Sequence, residues 1–298
     1  MNMHSLLAAA TMAILFSSCS TSKMALRTLH SKIEQEIKDK KGTFAVAFKD
    51  LQSGKSVNIN DHVVYHAAST MKTPVMVEVY KQAAEGKLSL SDSLELKNDF
   101  ISIADGTHYS LDSADDSETD LYKHIGEKRT ISYLLYQMII VSSNFATNLI
   151  MQKVGPGNVT ESMRQLGAKS IDVLRGVEDN KAFAKGLNNT TTANDLLIIF
   201  EKIAKGQAVN ADASVAMISI LLDQRFNEVI PALLPAGLKV AHKTGSIAHI
   251  LHDSGIVILP DGRKYVLVLL SKDWDDEKIA ISTMANISLL VYQYVTNK

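Results

Sequence analysis

Ser69 and Lys72 stand three residues apart at the head of an apolar run, Ser69-Thr70-Met71-Lys72. On a helix, positions i and i+3 share one face, so the lysine amine can lie beside the serine hydroxyl. That pairing is a nucleophile with its base. A serine hydroxyl attacks a carbonyl only when another group takes its proton, and a lysine can do so only while neutral. The helix start adds free backbone N–H groups and positive dipole charge near the hydroxyl. Single S-x-x-K pairs are common by chance and most lie on solvated helix surface, so the weight of this one depends on the rest of the chain.

Two further triplets supply that weight. Val141-Ser142-Ser143-Asn144 lies between two helical stretches, and His242-Lys243-Thr244-Gly245 lies on a strand near the C-terminus. Each alone has an ordinary explanation, because serine and asparagine gather at caps and turns and a strand lysine usually faces water. In the order S-x-x-K, S-x-N, K-T-G, the three resemble the motif set of active-site serine hydrolases of the penicillin-binding protein and class A β-lactamase type. The resemblance spans nearly the whole chain after its first residues. Asn144 to Leu149 is similar to the class A helix that follows the second motif, and Thr190 to Thr192 to the segment after the family's Ω-loop. Within that superfamily the chain looks most like class A-like lipoproteins of Bacteroidetes type.

The resemblance implies a role for each matching residue. Ser69 would form an acyl-enzyme, with Lys72 as its base and burial and the second cation Lys243 lowering the Lys72 pKa. In the family a glutamate acting through water is the rival base. Ser142 would relay the proton to the leaving nitrogen. Lys243 would hold the Ser142 hydroxyl and attract a substrate carboxylate, to which Thr244 would hydrogen-bond. Asn144 would bind the substrate's side-chain amide. The backbone N–H groups of Ser69 and Ser246 would form the oxyanion hole. Gly245 would leave room for substrate against the strand edge. For deacylation the resemblance points to Glu178 in Val177-Glu178-Asp179-Asn180, with Asn148 matching the asparagine that holds this glutamate at the substrate site.

The pattern also departs from the family. Asn180 follows Glu178 by two residues where the family's E-x-x-L-N spacing puts four, and an exposed structural glutamate is the competing reading. Ser143 replaces an aspartate. No arginine follows the K-T-G strand; His249, His252 and Asp253 lie there instead, more suited to hydrogen bonding or to an anionic substrate than to zinc.

The elements that must position these residues follow from periodicity. Lys23 to Asp39 reads as an amphipathic helix, with Leu26, Leu29, Ile33 and Ile37 at helical spacing. Thr43 to Lys49 and Ser56 to Asn60 read as a hairpin. From Tyr65 to about Pro235 helical signals dominate. A helix opens at Ser69, with a bend or shifted start expected at Pro74. Thr130 caps another through Ile140, and one from Phe145 stops at Gly155-Pro156. Asn158 with Glu161 suggests a capping box, and Thr192 with Asp195 opens a helix to Gly206. Asp105 to Lys128 is polar, and its cluster Asp112, Asp115, Asp116, Glu118 and Asp120 reads as a solvated loop without calcium-loop spacing. Strands are expected at Lys239 to Ser246, Ser254 to Leu259 and Lys264 to Leu270, the last two joined at Asp261-Gly262. Asp276 to Tyr294 reads as a final helix.

The expected class is therefore α/β (α+β). An antiparallel five-stranded sheet from both chain ends (22–65 and 236–298) is flanked by terminal helices and encloses an all-helical lobe (66–235), with the active site between the lobes.

Composition sets the outer limits. The 298 residues carry a formal net charge of -1 with 6% aromatics, which argues against nucleic-acid partners. Cys19 is the sole cysteine, so no disulfide can form within the chain. Leu6 to Phe16 is almost wholly apolar and ends in Ser17-Ser18-Cys19-Ser20, which resembles a lipoprotein signal over 1–18 with Cys19 as the lipidated residue. The expected protein is an exported envelope lipoprotein facing the periplasm, a monomer that touches the membrane only through that anchor and needs no cofactor. The leading function is hydrolysis of β-lactams. A D-Ala-D-Ala peptidase or esterase is the alternative within the same chemistry, and a non-catalytic envelope lipoprotein the alternative outside it.

Overall fold

A computed structural model describes residues 25–296 of the chain; the apolar stretch Leu6–Phe16 and Cys19, with the signal read into them, lie outside the described residues. The sheet takes its form from strict alternation. In β1 (Thr43–Asp50), Phe44, Val46 and Phe48 project to one face and Ala45 and Ala47 to the other, and all five are buried. The large side chains meet Leu29 and Ile33 of α1 (25–37) and Met284, Ile287 and Val291 of the last helix. The alanines face the helical middle of the chain, where small side chains let helices approach closely.

The strands are β1, β2 (Ser56–Ile59), β3 (Lys239–Ile247), β4 (Ile250–Ile258) and β5 (Lys264–Lys272), in spatial order β2-β1-β5-β4-β3 and antiparallel throughout. The two ends of the chain meet where β1 pairs with β5, from Thr43 opposite Lys272 to Asp50 opposite Tyr265. The third motif therefore lies on the edge strand β3. Lys243 shares its parity with Ala241, which faces the helical layer, so the lysine leaves the sheet inward and is fully buried.

α2 (Lys72–Ala84) runs through the helical layer, and every residue from Lys72 to Tyr80 is buried. Around it pack α3 (Ile131–Ile140), α4 (Asn144–Val154), α5 (Pro156–Leu166) and α8 (Ala211–Leu222). Between α5 and the next long helix comes the short α6 (Asn180–Ala184). α7 (Ala193–Ala204) lies across β1, β4 and β5, and α9 (Glu277–Thr296) packs on the sheet's other face.

Several expectations change. α2 does not open at Ser69: a 3-10 turn, Ala68–Met71, leads into it, and Pro74 becomes its third residue, where no intrahelical N–H is needed. Asn158 and Glu161 do not form a capping box. α5 begins at Pro156 because proline's fixed φ suits the first helical position, and Asn158 Nδ2 donates backward to the Val154 carbonyl at 2.8 Å. The acidic loop is not wholly solvated, since Asp116 is 7% exposed. Thr192 does cap α7, accepting from Asp195 N at 3.0 Å, but Asp195 turns to Lys169 N and Ser170 N rather than closing the box.

Thr192→Ala removes that cap. It should lower the unfolding free energy by about 1 kcal/mol in urea titrations.

Candidate active site

The three motifs meet at the hydroxyl of Ser142. Lys72 Nζ donates to Ser142 Oγ at 3.0 Å, to the Ser142 carbonyl at 2.6 Å and to Asn144 Oδ1 at 2.9 Å. Lys243 Nζ donates to the same Ser142 Oγ at 3.0 Å and to the Thr244 carbonyl at 2.9 Å. Local backbone explains why one residue offers both oxygens. Ser142 follows the C-terminus of α3 in the left-handed region (φ 59°), which turns its carbonyl and hydroxyl toward Lys72 together. Ser143 then caps α4 by accepting from Ala146 N, and Asn144 becomes the first residue of that helix.

Ser69 is placed differently from its neighbours. From Ala67 to Tyr80 it is the one residue that is not buried. It lines a cleft whose two arms measure about 390 and about 440 Å³. One arm holds Asn144, Glu178 and Ser246 with Ser69; the other holds Ser142, Asn144, Thr244, Gly245 and Ser246. Ala68, just before Ser69, has φ 45°, and its N–H donates to His66 Nδ1 at 3.0 Å. Burial, and then the Arg175 charge, pulls the His66 pKa down to about 4, so the ring stays a neutral acceptor. Gly245 brings the edge strand onto this turn: a Cβ there would stand 3.0 Å from the backbone nitrogens of both Ser69 and Thr70.

Burial dominates the electrostatics. Lys72 has no exposed surface, and desolvation pulls its pKa down to about 7 against the opposing pull of Asp116 and Glu178. Lys243 is equally buried. Desolvation and then the Lys72 charge hold its pKa well below the ordinary lysine value, with Asp253 opposing.

Glu178 lies in the loop between α5 and α7. It is half-buried, has φ 58°, and its Oε1 accepts from Asn144 Nδ2. It is therefore neither exposed nor remote, as the competing reading would have it. Burial raises its pKa, and the Asn144 hydrogen bond opposes that rise. Asn148 is a correction. It is buried, and its amide meets not the glutamate but the preceding backbone: Oδ1 accepts from Val177 N at 2.6 Å and Nδ2 donates to Val177 O at 3.1 Å. It positions the loop and does not line the cleft.

Sequence reasoning missed the rest of that loop's support. Arg175 donates to the Leu187 and Gly176 carbonyls at 2.9 and 3.0 Å, and Asn189 clasps Leu174, Arg175 and its carbonyl. Asp179 holds Ser102 Oγ and Ile103 N. Asp116, at the start of α4, was also missed. These contacts link distant stretches, and no spacing signals them. His249, His252 and Asp253 do not converge. His252 bonds the His66 carbonyl, His249 the Trp274 carbonyl, and Asp253 pairs with His242 and Ile230 N, so they hold the fold together.

Gly176 is the tightest point of this support, because a Cβ there would lie 2.2 Å from Asn148 Oδ1. Gly176→Ala should push the clamp off Val177 and cost about 1–3 kcal/mol of stability, read by chemical denaturation.

Comparison with known proteins gives the family and the fold. Beta-lactamase CARB-3 of Pseudomonas aeruginosa is 25% identical over 222 residues, covering 72% of this chain and 73% of that protein. The solved structure of PBP-A is 27% identical with a TM-score of 0.78, covering 91% of this chain and 97% of that one. A class A β-lactamase structure from Bacteroides cellulosilyticus shares the fold at 22% identity, with a TM-score of 0.77 over 92% and 99% of the two chains. The family model described as the beta-lactamase enzyme family matches residues 28–295. With three motif segments converging on one hydroxyl inside that matched span, the chain belongs to the β-lactamase enzyme family.

Proposed function

We propose that the protein is a class A-like serine β-lactamase, which opens the β-lactam ring through an acyl-enzyme on Ser69. The observation that carries this reading is the Ser142 hydroxyl, held at 3.0 Å by both buried amines at the edge of the cleft that Ser69 lines.

Neutral Lys72 takes the Ser69 hydroxyl proton as Oγ bonds to the lactam carbonyl carbon. The resulting oxyanion rests on the N–H groups of Ser69 and Ser246, where loss of one donor typically costs ~10²–10³ in rate. The C–N bond then breaks, and Ser142 passes a proton to the leaving nitrogen while regaining one from Lys72. Lys243 and Thr244 receive the substrate carboxylate. Asn144 uses one lone pair on Lys72 and one N–H on Glu178, leaving one of each for the substrate's side-chain amide. Glu178 then takes a proton from water as the water oxygen attacks the ester carbonyl; the acyl C–O bond breaks, and the proton passes from Glu178 to the departing Ser69 Oγ, which leaves Glu178 a carboxylate again. A carboxylate with a raised pKa is a better base for that step.

PBP-A supports the acylation half: a mutant of that protein has been solved as an acyl-enzyme complex with penicillin G. It also keeps a peptidase-like outcome in view, in which the adduct forms but persists. Mixing the purified protein with a penicillin, and following ring opening together with intact mass, separates the cases. Rapid turnover supports the β-lactamase reading, a lasting adduct on Ser69 the peptidase reading, and neither the non-catalytic one. We also propose export with a lipid anchor at Cys19, supported by Leu6–Phe16 and Ser17–Ser20. Fatty-acid labelling that survives Cys19→Ala would refute the anchor.

Two outcomes follow for the catalytic groups. Acylation should climb about tenfold per pH unit below about pH 7 and level off above it, because only neutral Lys72 accepts a proton. Glu178→Gln should leave adduct formation in place and slow its hydrolysis by roughly 10²–10⁴, seen as accumulating acyl-enzyme in the mass spectrum.

A further inference from the structure

Asp116 is the one buried residue in the acidic stretch 112–120, and none of the roles above uses it. Its Oδ2 accepts from Asn144 N, Phe145 N and Tyr122 OH at 2.9 Å each, and from Ser143 Oγ at 3.5 Å. Its Oδ1 accepts from Asn144 N at 3.0 Å and Glu118 N at 3.1 Å. The two α4 amides it holds are the first of that helix, where a negative charge is favoured. The residue whose backbone it grips, Asn144, puts its own side chain on Lys72 Nζ.

We propose that Asp116 is a positioning residue for Lys72: its carboxylate grips the backbone of the second motif, so that Ser142 and Asn144 are held against the amine. This rests on the reading of Lys72 as the acylation base.

The charges around Lys72 come from four pieces of chain. Burial favours the neutral amine, while Asp116 and Glu178 favour the ammonium; Lys243, from β3, faces Lys72 across Ser142 Oγ, and the Lys72 charge disfavours its proton. Asp253 acts on Lys243, and Asp115 on Glu178. The two carboxylates near Lys72 differ in kind. Glu178 has one partner and is assigned a proton to carry. Asp116 accepts from four other residues besides Asn144, which hold it in place at the start of α4.

The test is a pH profile in Asp116→Asn, with Asp116→Asn/Ser143→Asp as the second variant. Ser143 already touches the Asp116 carboxylate, so an aspartate there returns a charge to the same helix end. In Asp116→Asn the acid limb of acylation should move down by about one pH unit, and the double variant should return it toward the parent value. Carbon-13 NMR of lysine labelled at Cε reads the Lys72 titration without substrate and should move in the same way. A Lys72 titration that moves while acylation ignores it would sink the base assignment and leave the Asp116 inference standing. A uniform drop in rate with both limb and titration unmoved would show a merely structural carboxylate and overturn the inference. So would failure of both variants to fold.

Discussion

Two buried amines share one hydroxyl, and that constraint governs the site. Both Lys72 Nζ and Lys243 Nζ lie 3.0 Å from Ser142 Oγ, so they are no more than about 6 Å apart. Two full positive charges at that separation repel by roughly 3 kcal/mol at an effective dielectric near 20. Neither amine has exposed surface through which water could relieve it. Removing one proton relieves both the repulsion and part of the desolvation cost. A neutral amine beside a serine is thus a consequence of where the two lysines are placed and needs no separate activating group.

The fold's larger features serve that placement. Ala45 and Ala47 leave the sheet's inner face low enough for the helical layer to close over it, and α2 is buried all round from Lys72 to Tyr80, so that its first residue begins in a dry environment. Three cleft residues, Ala68, Ser142 and Glu178, hold positive φ without being glycine. Each such conformation costs of order 1–3 kcal/mol and persists only where its surroundings over-determine it. Here the surroundings are visible: His66 on the Ala68 amide, two lysines on Ser142, and Asn144 with the Asn148–Val177 clamp around Glu178. The strain lies beside Ser69, at Ser142 and at Glu178, where a relaxed backbone would aim the side chains elsewhere.

What could be read in the sequence and what could not divide along the same physical line. The strands were legible because alternation is local, and the motifs because each packs its chemistry into three or four residues. At the start of α5 two cues compete, and the proline at Pro156 prevails over the Asn158–Glu161 pattern. Glu178 was reachable only through resemblance, since its spacing to Asn180 is its own. Asp116 and Arg175 carried no signal at all. A carboxylate in a run of acids looks solvated until a helix 28 residues further on presents its amides to it.

That distant carboxylate also resolves the departure at Ser143. An acid within the second motif would cap α4 and charge its N-terminus from inside the motif. Here the two tasks are divided: Ser143 accepts from Ala146 N, and Asp116 brings the charge from another loop. Division has a consequence for the cleft. Asp115, adjacent to Asp116, lines both arms beside Ser69, so the loop that holds the α4 end also forms part of the substrate's wall. One loop thus sets both the backbone of the second motif, through Asp116, and one side of the cleft, through Asp115.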